Sequence, residues 1–208
     1  MPSVQSLGLF MAAALALNVT PGPDMLYVAA RSTGEGRRAG MVSALGIGAG
    51  TLVHIAALAL GLSALLAAVP MLYDAVRWCG AAYLVWLGVR ALRAKPRMTN
   101  DAPVTPAPLA TVFRQGVVTN VLNPKVALFF LAFLPQFVDP ARGSAAAQIV
   151  ALGLLFDVQG TLVNVLVAAA ASRVGGALRR GRAARTLQRI TGGVFVLLGA
   201  RLALAGRR

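Results

Sequence analysis

Cysteine, histidine and acidic residues are all scarce in this chain. Its 208 residues include one cysteine, Cys79, one histidine, His54, and only 6 acidic residues. A single cysteine excludes a disulfide framework and a CxxC redox pair. So few His, Cys and acidic ligands also disfavour a metal site, and no Ser/His/Asp spacing typical of a hydrolase occurs. We therefore predict neither an enzyme nor a bound metal or cofactor.

Charged residues are also few, at 12% of the chain against 58% hydrophobic residues, with a mean hydropathy of +0.73. This leaves too little polar surface for a soluble globule, so the chain is predicted to be an integral membrane protein in contact with lipid. The net charge of +14 comes from basic residues between apolar runs. Because no nucleic-acid motif or stacking aromatics accompany them, they indicate a positive-inside signal and not a nucleic-acid partner.

Six apolar stretches reach the roughly 20 residues that a membrane-spanning helix needs. They cover about 6–30, 40–68, 72–93, 114–137, 146–172 and 187–205. Four prolines between the third and fourth predict an extended polar linker over about 94–112. The chain is thus predicted to be one transmembrane domain with halves at about 1–93 and 113–208. The basic loops place both termini outside the cytoplasm, and no cleaved signal peptide is expected.

Three short motifs recur in the same order in the two halves. Gly50-Thr51-Leu52-Val53-His54 returns as residues 160–164, residues 87–90 return as 198–201, and Asn18-Val19-Thr20-Pro21 corresponds to residues 120–124. Because each half has three spans, a duplicated second half must be inverted in the membrane. The predicted fold is therefore an all-α integral membrane protein of six transmembrane helices, arranged as two inverted three-helix repeats, with helices 1 and 4 broken at proline.

The broken helices are the first candidate site. Proline lacks an N–H and clashes with the preceding turn, and open backbone at membrane depth is tolerated only where it is buried in protein or lines a cavity. Thr20-Pro21 and Asn123-Pro124 each predict a capping residue followed by the first residue of a new half-helix.

The two helix breaks together favour a ligand that carries both a positive and a negative charge. Helix N-termini attract anions, while the carbonyls freed upstream, those of Leu17, Val19 and Asn120, attract cations. Together they suit a zwitterion such as an amino acid. The alternative is a pair of proline kinks that only shape the bundle.

Four ionisable side chains fall well inside the predicted spans: Asp24, His54, Lys125 and Asp157. Buried charges in membranes usually face the interior and pair. Asp157 is therefore expected either to pair with Lys125, to bind a substrate ammonium or to carry a proton. Asp24 either caps its own half-helix or acts as a gate or cation contact, and His54 is either a hydrogen-bonded core residue or a proton carrier.

Helix 5 carries a polar stripe. Asp157, Thr161 and Asn164 share one helical face, and Thr51 and His54 occupy the matching positions on helix 2.

Two motifs resemble those of the lysine exporter (LysE/RhtB) family of bacterial amino-acid exporters. They are N-x-x-P-G-P-D from Asn18 to Asp24 in the first span and Asn123-Pro124-Lys125 in the fourth. The resemblance covers essentially the whole chain and implies proton-motive-force-driven efflux across the inner membrane, often from homodimers. It carries family positions over to Asn18, Pro21, Gly22, Pro23, Asp24, Asn123, Pro124 and Lys125.

The resemblance therefore implies a multi-pass inner-membrane exporter of amino acids or their derivatives, with protons as the coupling ion. Neutral substrates of the homoserine or threonine type are favoured over basic ones, because no dedicated anionic pair surrounds the breaks. The alternatives are a metal-ion exporter or passive channel and, further off, a membrane enzyme or thiol-reductant conductor. The predicted substrate-binding and transport residues are Asn18, Thr20, Pro21, Gly22, Pro23, Asp24, His54, Asn120, Asn123, Pro124, Lys125, Asp157, Thr161 and Asn164.

Overall fold

The computed structural model describes residues 4–62 and 106–174, together with ten separate positions at 78, 82, 85, 86, 89, 93, 193, 196, 197 and 200. The predicted third and sixth spans, most of the linker and the repeat pair at 87–90 and 198–201 fall outside the described residues, apart from those separate positions. Every regular element in the described ranges is helical. The all-α part of the predicted fold is confirmed there.

The described chain forms six α-helices with short irregular turns. They are α1 (Val4–Val19), α2 (Pro23–Glu35), α3 (Arg37–Ala57), α4 (Leu109–Val121), α5 (Pro124–Leu128) and α6 (Ala145–Val174). A π-helical turn, Leu58–Leu62, extends α3. A π-helical turn and a 3-10 turn, Phe129–Phe133 and Leu134–Phe137, extend α5. A further 3-10 turn, Pro140–Arg142, precedes α6.

Two described helices are long and apolar enough to cross a membrane unbroken, and two bent helix pairs are so if each pair is one span. The continuous apolar segments are Arg37–Gly61 with 25 residues and Ala145–Ala171 with 27 residues. The bent pairs are α1 with α2, at 49°, and α4 with α5 and its extension, at 45°. The predicted breaks in the first and fourth spans are confirmed, because each bend falls at a proline.

The connection between the first two predicted spans contains a single non-helical residue. Helix α2 continues to Glu35 and only Gly36, at φ +91, separates it from α3, so the polar stretch after residue 30 is mostly helical. Hydropathy marks where the apolar segment ends, whereas a helix continues as long as its polar side chains find partners. Arg31 and Glu35, one turn apart on α2, form an ion pair that stabilises this last turn.

The broken spans run in opposite directions. Phe10, early in α1, packs on Phe137 at the end of the second broken span, with ring centroids 5.3 Å apart. At the other end of the bundle, Ser32 near the end of α2 donates a hydrogen bond to the carbonyl of Ala168 near the end of α6. Since α3 returns directly from Gly36, α3 and α6 are also antiparallel.

Glycines allow α3 to pack closely on its neighbours. A Cβ on Gly46 would lie 2.3 Å from the carbonyl oxygen of Phe113 in α4. A Cβ on Gly48 would lie 2.7 Å from Oγ1 of Thr161 in α6. Close backbone approach through small residues is a common way for helices to associate in lipid. Helix α3 therefore sits between α4 and α6.

Two apolar clusters of different character close the two ends of the described bundle. The larger one, at what we call the aromatic end, is built around Phe10, Phe129, Phe130, Phe133 and Phe156, all at most 2% exposed. The smaller one, at what we call the Gly36 end, contains Val28, Ala44, Ile47 and Ala168. A polar layer that contains both helix breaks lies between them.

Candidate functional site

The first helix break differs in detail from the expected capping geometry. Helix α2 begins at Pro23 with the extended residue Gly22 as its N-cap, and Gly22 has no side chain to cap it. The Thr20 hydroxyl donates instead to the carbonyl of Ala16 in α1. The prediction that Thr20 caps the new half-helix is therefore wrong, because Pro23, not Pro21, occupies the first helical position.

The second break matches the prediction. Asn123 is the N-cap of α5, its side-chain oxygen accepts the backbone N–H of Lys125 at 3.0 Å, and Pro124 follows it at the first helical position. An asparagine cap followed by proline preorganises this helix start.

Lys125 crosses from the second break to the first. Its ammonium nitrogen donates to the carbonyl oxygens of Leu17 and Thr20, each at 3.1 Å, and the residue is only 7% exposed. Gly22 makes room for it, since a Cβ there would lie 3.1 Å from Nζ. The Leu17 carbonyl, predicted to attract a substrate cation, is thus bonded to a cation of the chain itself.

Asp157 lies elsewhere in the polar layer and forms no ion pair with Lys125. Its Oδ1 accepts the Thr161 hydroxyl at 3.4 Å on the same helix. Of the alternatives considered for Asp157, pairing with Lys125 is wrong, because the lysine extends towards the carbonyls of the other break.

Asp24 joins the two broken helices. Asn120 of α4 donates its amide to Asp24 Oδ2 at 2.9 Å in a buried contact. Asp24 is 7% exposed, and its other oxygen, Oδ1, has no hydrogen-bond partner among the described residues. The alternative that Asp24 caps its own half-helix is wrong, because its carboxylate is directed to α4.

Asn18 and Asn120, which occupy matching positions in the two halves, pack in a crossed pattern. A Cβ on Gly160 would lie 2.9 Å from Asn18 Oδ1, and a Cβ on Gly50 would lie 2.8 Å from the Cβ of Asn120. Each asparagine therefore fits against the glycine of the GTLV motif in the opposite half. The sequence singled out these motifs, but not that they cross.

Further hydrogen bonds hold both asparagines. Asn18 Nδ2 donates to the carbonyl of Phe156 at 3.3 Å and to Gln159 Oε1 at 3.4 Å. His54 Nε2 lies 3.1 Å from the carbonyl of Asn120, so His54 is a hydrogen-bonded residue of this layer. Gln159 was missed by the sequence analysis, although it lies between Asp157 and Thr161 of the polar stripe.

A cavity of about 20 Å³ lies at the centre of the polar layer. Six of the predicted site residues line it: Asn18, Asp24, Asn120, Asp157, Thr161 and Asn164. The rest of the wall is formed by Ile47, Thr51, Val126, Phe156 and Gly160. It has room for about one water-sized particle. An amino acid is much larger, so it enters this layer only if the helices around the cavity separate.

A polar cluster that the sequence analysis did not single out ties α2 to α4 at the Gly36 end. The Arg31 guanidinium bonds to both Glu35 and Gln115. Tyr27 donates to the carbonyl of Val112 at 2.8 Å, and Glu35 accepts the backbone N–H of Ala107 at 2.8 Å. The i, i+4 spacing of Arg31 and Glu35 was its only signal in the sequence.

Antiparallel broken helices around a buried polar layer define a multi-pass helical membrane protein of transporter type. The model of the LysE type translocator family matches residues 15–206, and the chain belongs to this family. The sequence resemblance is thereby confirmed, and the protein is a translocator by family.

Curated relatives cover most of the chain. An uncharacterized membrane protein of Pseudomonas aeruginosa is 34% identical over 191 residues, covering 89% of this chain and 88% of the relative. A homoserine/homoserine lactone efflux protein of Salmonella typhimurium is 28% identical, covering 91% of each chain. A leucine efflux protein of an Enterobacter species is 30% identical, covering 71% of each. No solved structure is significantly similar to the chain.

Proposed function

We propose that this protein exports amino acids, or close derivatives, from bacteria across the inner membrane in exchange for protons. The family is one of translocators, and relatives are named as efflux proteins for homoserine and leucine. A neutral substrate with a free ammonium and a free carboxylate is the ligand class that the polar layer fits.

One observation carries the proposal. The buried side-chain atoms that lack hydrogen-bond partners in the described part of the chain are Asp24 Oδ1 and Asn123 Nδ2. One is an acceptor and the other a donor, and each belongs to one of the two helix breaks. A buried polar atom without a partner costs about 1–3 kcal/mol. Asp24 lines the present cavity and Asn123 does not. An amino acid that entered the opened layer would supply both kinds of partner, its ammonium donating to Asp24 and its carboxylate accepting from Asn123.

Transport requires the layer to open to one side at a time. In the present conformation the aromatic cluster covers one side, and the Arg31 and Glu35 cluster together with the smaller apolar core covers the other. The cavity of about 20 Å³ between them is too small for an amino acid, so we assign the described helices to an occluded conformation. Opening of either end around the fixed polar layer constitutes alternating access.

We further propose that the two halves are inverted repeats of three spans each. The antiparallel course of the broken helices and the crossed asparagine and glycine contacts support this arrangement. The predicted homodimer stays an expectation from the family resemblance.

The proposal is tested with purified protein in proteoliposomes loaded with labelled homoserine, leucine or lysine. Wild-type protein is expected to release homoserine or leucine faster than lysine. Release is expected to be faster when the external medium, which receives the substrate, is more acidic than the liposome lumen. Asp24→Asn and Asp157→Asn are expected to lose the response to the pH gradient. Asp139→Asn is the matched control, because Asp139 pairs with Arg142 in an exposed turn. Undiminished, gradient-independent efflux in both layer variants would exclude the proposed role of the carboxylates.

A further inference from the structure

We propose that an open groove between α2 and α4 binds an anionic phospholipid, with the headgroup phosphate at Arg114 and one acyl chain along Val118 and Leu122. The groove is separate from the polar layer that contains the helix breaks. The lipid site therefore depends neither on the substrate that the protein transports nor on the ion that drives transport.

The groove lies at the Gly36 end, close to the start of α4, and has a volume of about 420 Å³. One residue of α2 and five residues of α4 line it: Tyr27, Thr111, Arg114, Gln115, Val118 and Thr119. Its volume falls within the usual range for small-molecule sites. The Tyr27 hydroxyl donates a hydrogen bond to the carbonyl of Val112, so the two helices that form the groove are joined beside it.

The polar part of the wall offers free hydrogen-bond donors. Arg114 is exposed and forms no ion pair or hydrogen bond with any described residue. Gln115 Oε1 accepts from Tyr27 and Arg31, which leaves its amide nitrogen as a donor without a described partner. None of the described residues that line the groove is acidic. A guanidinium beside a free amide donor selects an anion, and its planar fork matches the oxygens of a phosphate.

The charges around the groove have the same sign. Arg37 and Arg38, at the start of α3, are exposed at the same end of the bundle. The acid of this connection, Glu35, is already paired with Arg31. Arginine is charged at every physiological pH, so this excess of positive charge requires no assumption about protonation. Basic residues at a membrane surface attract anionic lipids, and basic pockets between transmembrane helices bind their headgroups.

An apolar strip continues from Arg114 towards the middle of the span. Arg114, Val118 and Leu122 follow one another at intervals of four residues, so they share one face of α4. Val118 is 55% exposed and Leu122 is 73% exposed. At 1.5 Å per residue the strip is about 12 Å long. A soluble phosphate would contact only the basic end, whereas a phospholipid contacts both the guanidinium and the aliphatic side chains. The occupant that fits is therefore a lipid.

The test is titration of the purified full-length protein with phosphatidylglycerol in a nonionic detergent, with the complexes counted by native mass spectrometry. Wild-type protein is expected to bind one phosphatidylglycerol more tightly than phosphatidylcholine with the same acyl chains. Arg114→Gln is expected to weaken binding of phosphatidylglycerol by about fivefold or more, the scale for one basic residue near an anionic surface. The matched control is Arg38→Gln, which removes one positive charge at the same end but outside the groove, and it is expected to bind like wild type.

A second variant tests the apolar part of the groove. Val118→Trp keeps every charge and fills the groove with an indole ring, so loss of the one-lipid complex is expected for both lipids. Thermal unfolding of each variant shows that it is folded.

Three results would overturn the lipid site. Equal affinity of wild-type protein for the two lipids, or equal weakening by Arg114→Gln and Arg38→Gln, would show only a general attraction between charged surfaces. Undiminished lipid binding by Val118→Trp would place the lipid elsewhere. Displacement of phosphatidylglycerol by millimolar glycerol 3-phosphate would identify a site for a soluble anion; no displacement is expected.

Discussion

Alanine substitution at Gly160 tests the crossed packing of the two halves. A Cβ at this position would lie 2.9 Å from Oδ1 of Asn18, closer than normal contact. Overpacking of this kind costs about 1–3 kcal/mol, whereas the better helix propensity of alanine returns at most about 1 kcal/mol. We therefore expect Gly160→Ala to destabilise the protein by about 1–2 kcal/mol, and Gly50→Ala, facing Asn120, to do the same.

The matched control is Gly8→Ala, because no atom of the described residues lies within 4 Å of a Cβ built at Gly8. At Gly8 only the higher helix propensity of alanine acts. Gly8→Ala is therefore expected to stabilise the protein by up to about 1 kcal/mol. Thermal unfolding of the purified proteins in one detergent measures all three variants. The contrast between the contact glycines and Gly8 separates packing from general effects of a helical alanine.

A double-mutant cycle links the clash to its partner. In an Asn18→Ala background the opposing side chain is gone, so Gly160→Ala is expected to become neutral or stabilising. The coupling energy between the two sites should then be about 1–2 kcal/mol, within the range for residues in direct contact. Equal destabilisation by Gly160→Ala with and without Asn18 would refute the proposed contact, and with it this support for inverted repeats.

Three further outcomes follow from the polar layer and the topology. Asn120→Ala removes the bond to the Asp24 carboxylate, so it should lower stability by about 1–3 kcal/mol, measured by thermal unfolding; an unchanged midpoint would contradict it. Lys125→Met removes charge-assisted hydrogen bonds worth about 1.5–3 kcal/mol each. Efflux from proteoliposomes should therefore fall by about tenfold or more. Efflux at the wild-type rate would exclude a role for this ammonium in transport. In a Cys79→Ala background, a membrane-impermeant maleimide should label Ser144→Cys but not Arg38→Cys in intact cells, because both termini are predicted to lie outside the cytoplasm. The reverse labelling pattern would show that the topology is the opposite of the predicted one.

Local chemistry explains what could be predicted. A proline removes an N–H donor wherever it stands, so the breaks near Pro23 and Pro124 follow from covalent structure alone. Hydropathy likewise located the two continuous helices and the two bent helix pairs that are apolar enough to cross a membrane, because lipid selects for about 20 apolar residues. The exact helix start after Pro21 was less predictable, since two prolines separated by one glycine offer two possible first residues.

Partners distant along the chain could not be predicted. Asp24 and Asn120 are 96 residues apart, and the Lys125 ammonium reaches a carbonyl 108 residues away. The composition of the layer allowed Lys125 to pair with either a carboxylate or freed carbonyls. Lys125 bonds to the carbonyls because of the relative positions of the broken helices, and these positions depend on the packing of the whole bundle.

The amino-acid sequence by itself determined a membrane protein with two proline-broken spans, a set of intramembrane charges and membership in a translocator family. Only the tertiary structure decided which polar atoms meet and which stay without a partner. The reason is physical: helix breaks and apolar lengths are properties of neighbouring residues, whereas hydrogen bonds between helices depend on the rotation and depth of each helix. That packing buries Asp24 Oδ1 and Asn123 Nδ2 and leaves both atoms without a hydrogen-bond partner among the described residues.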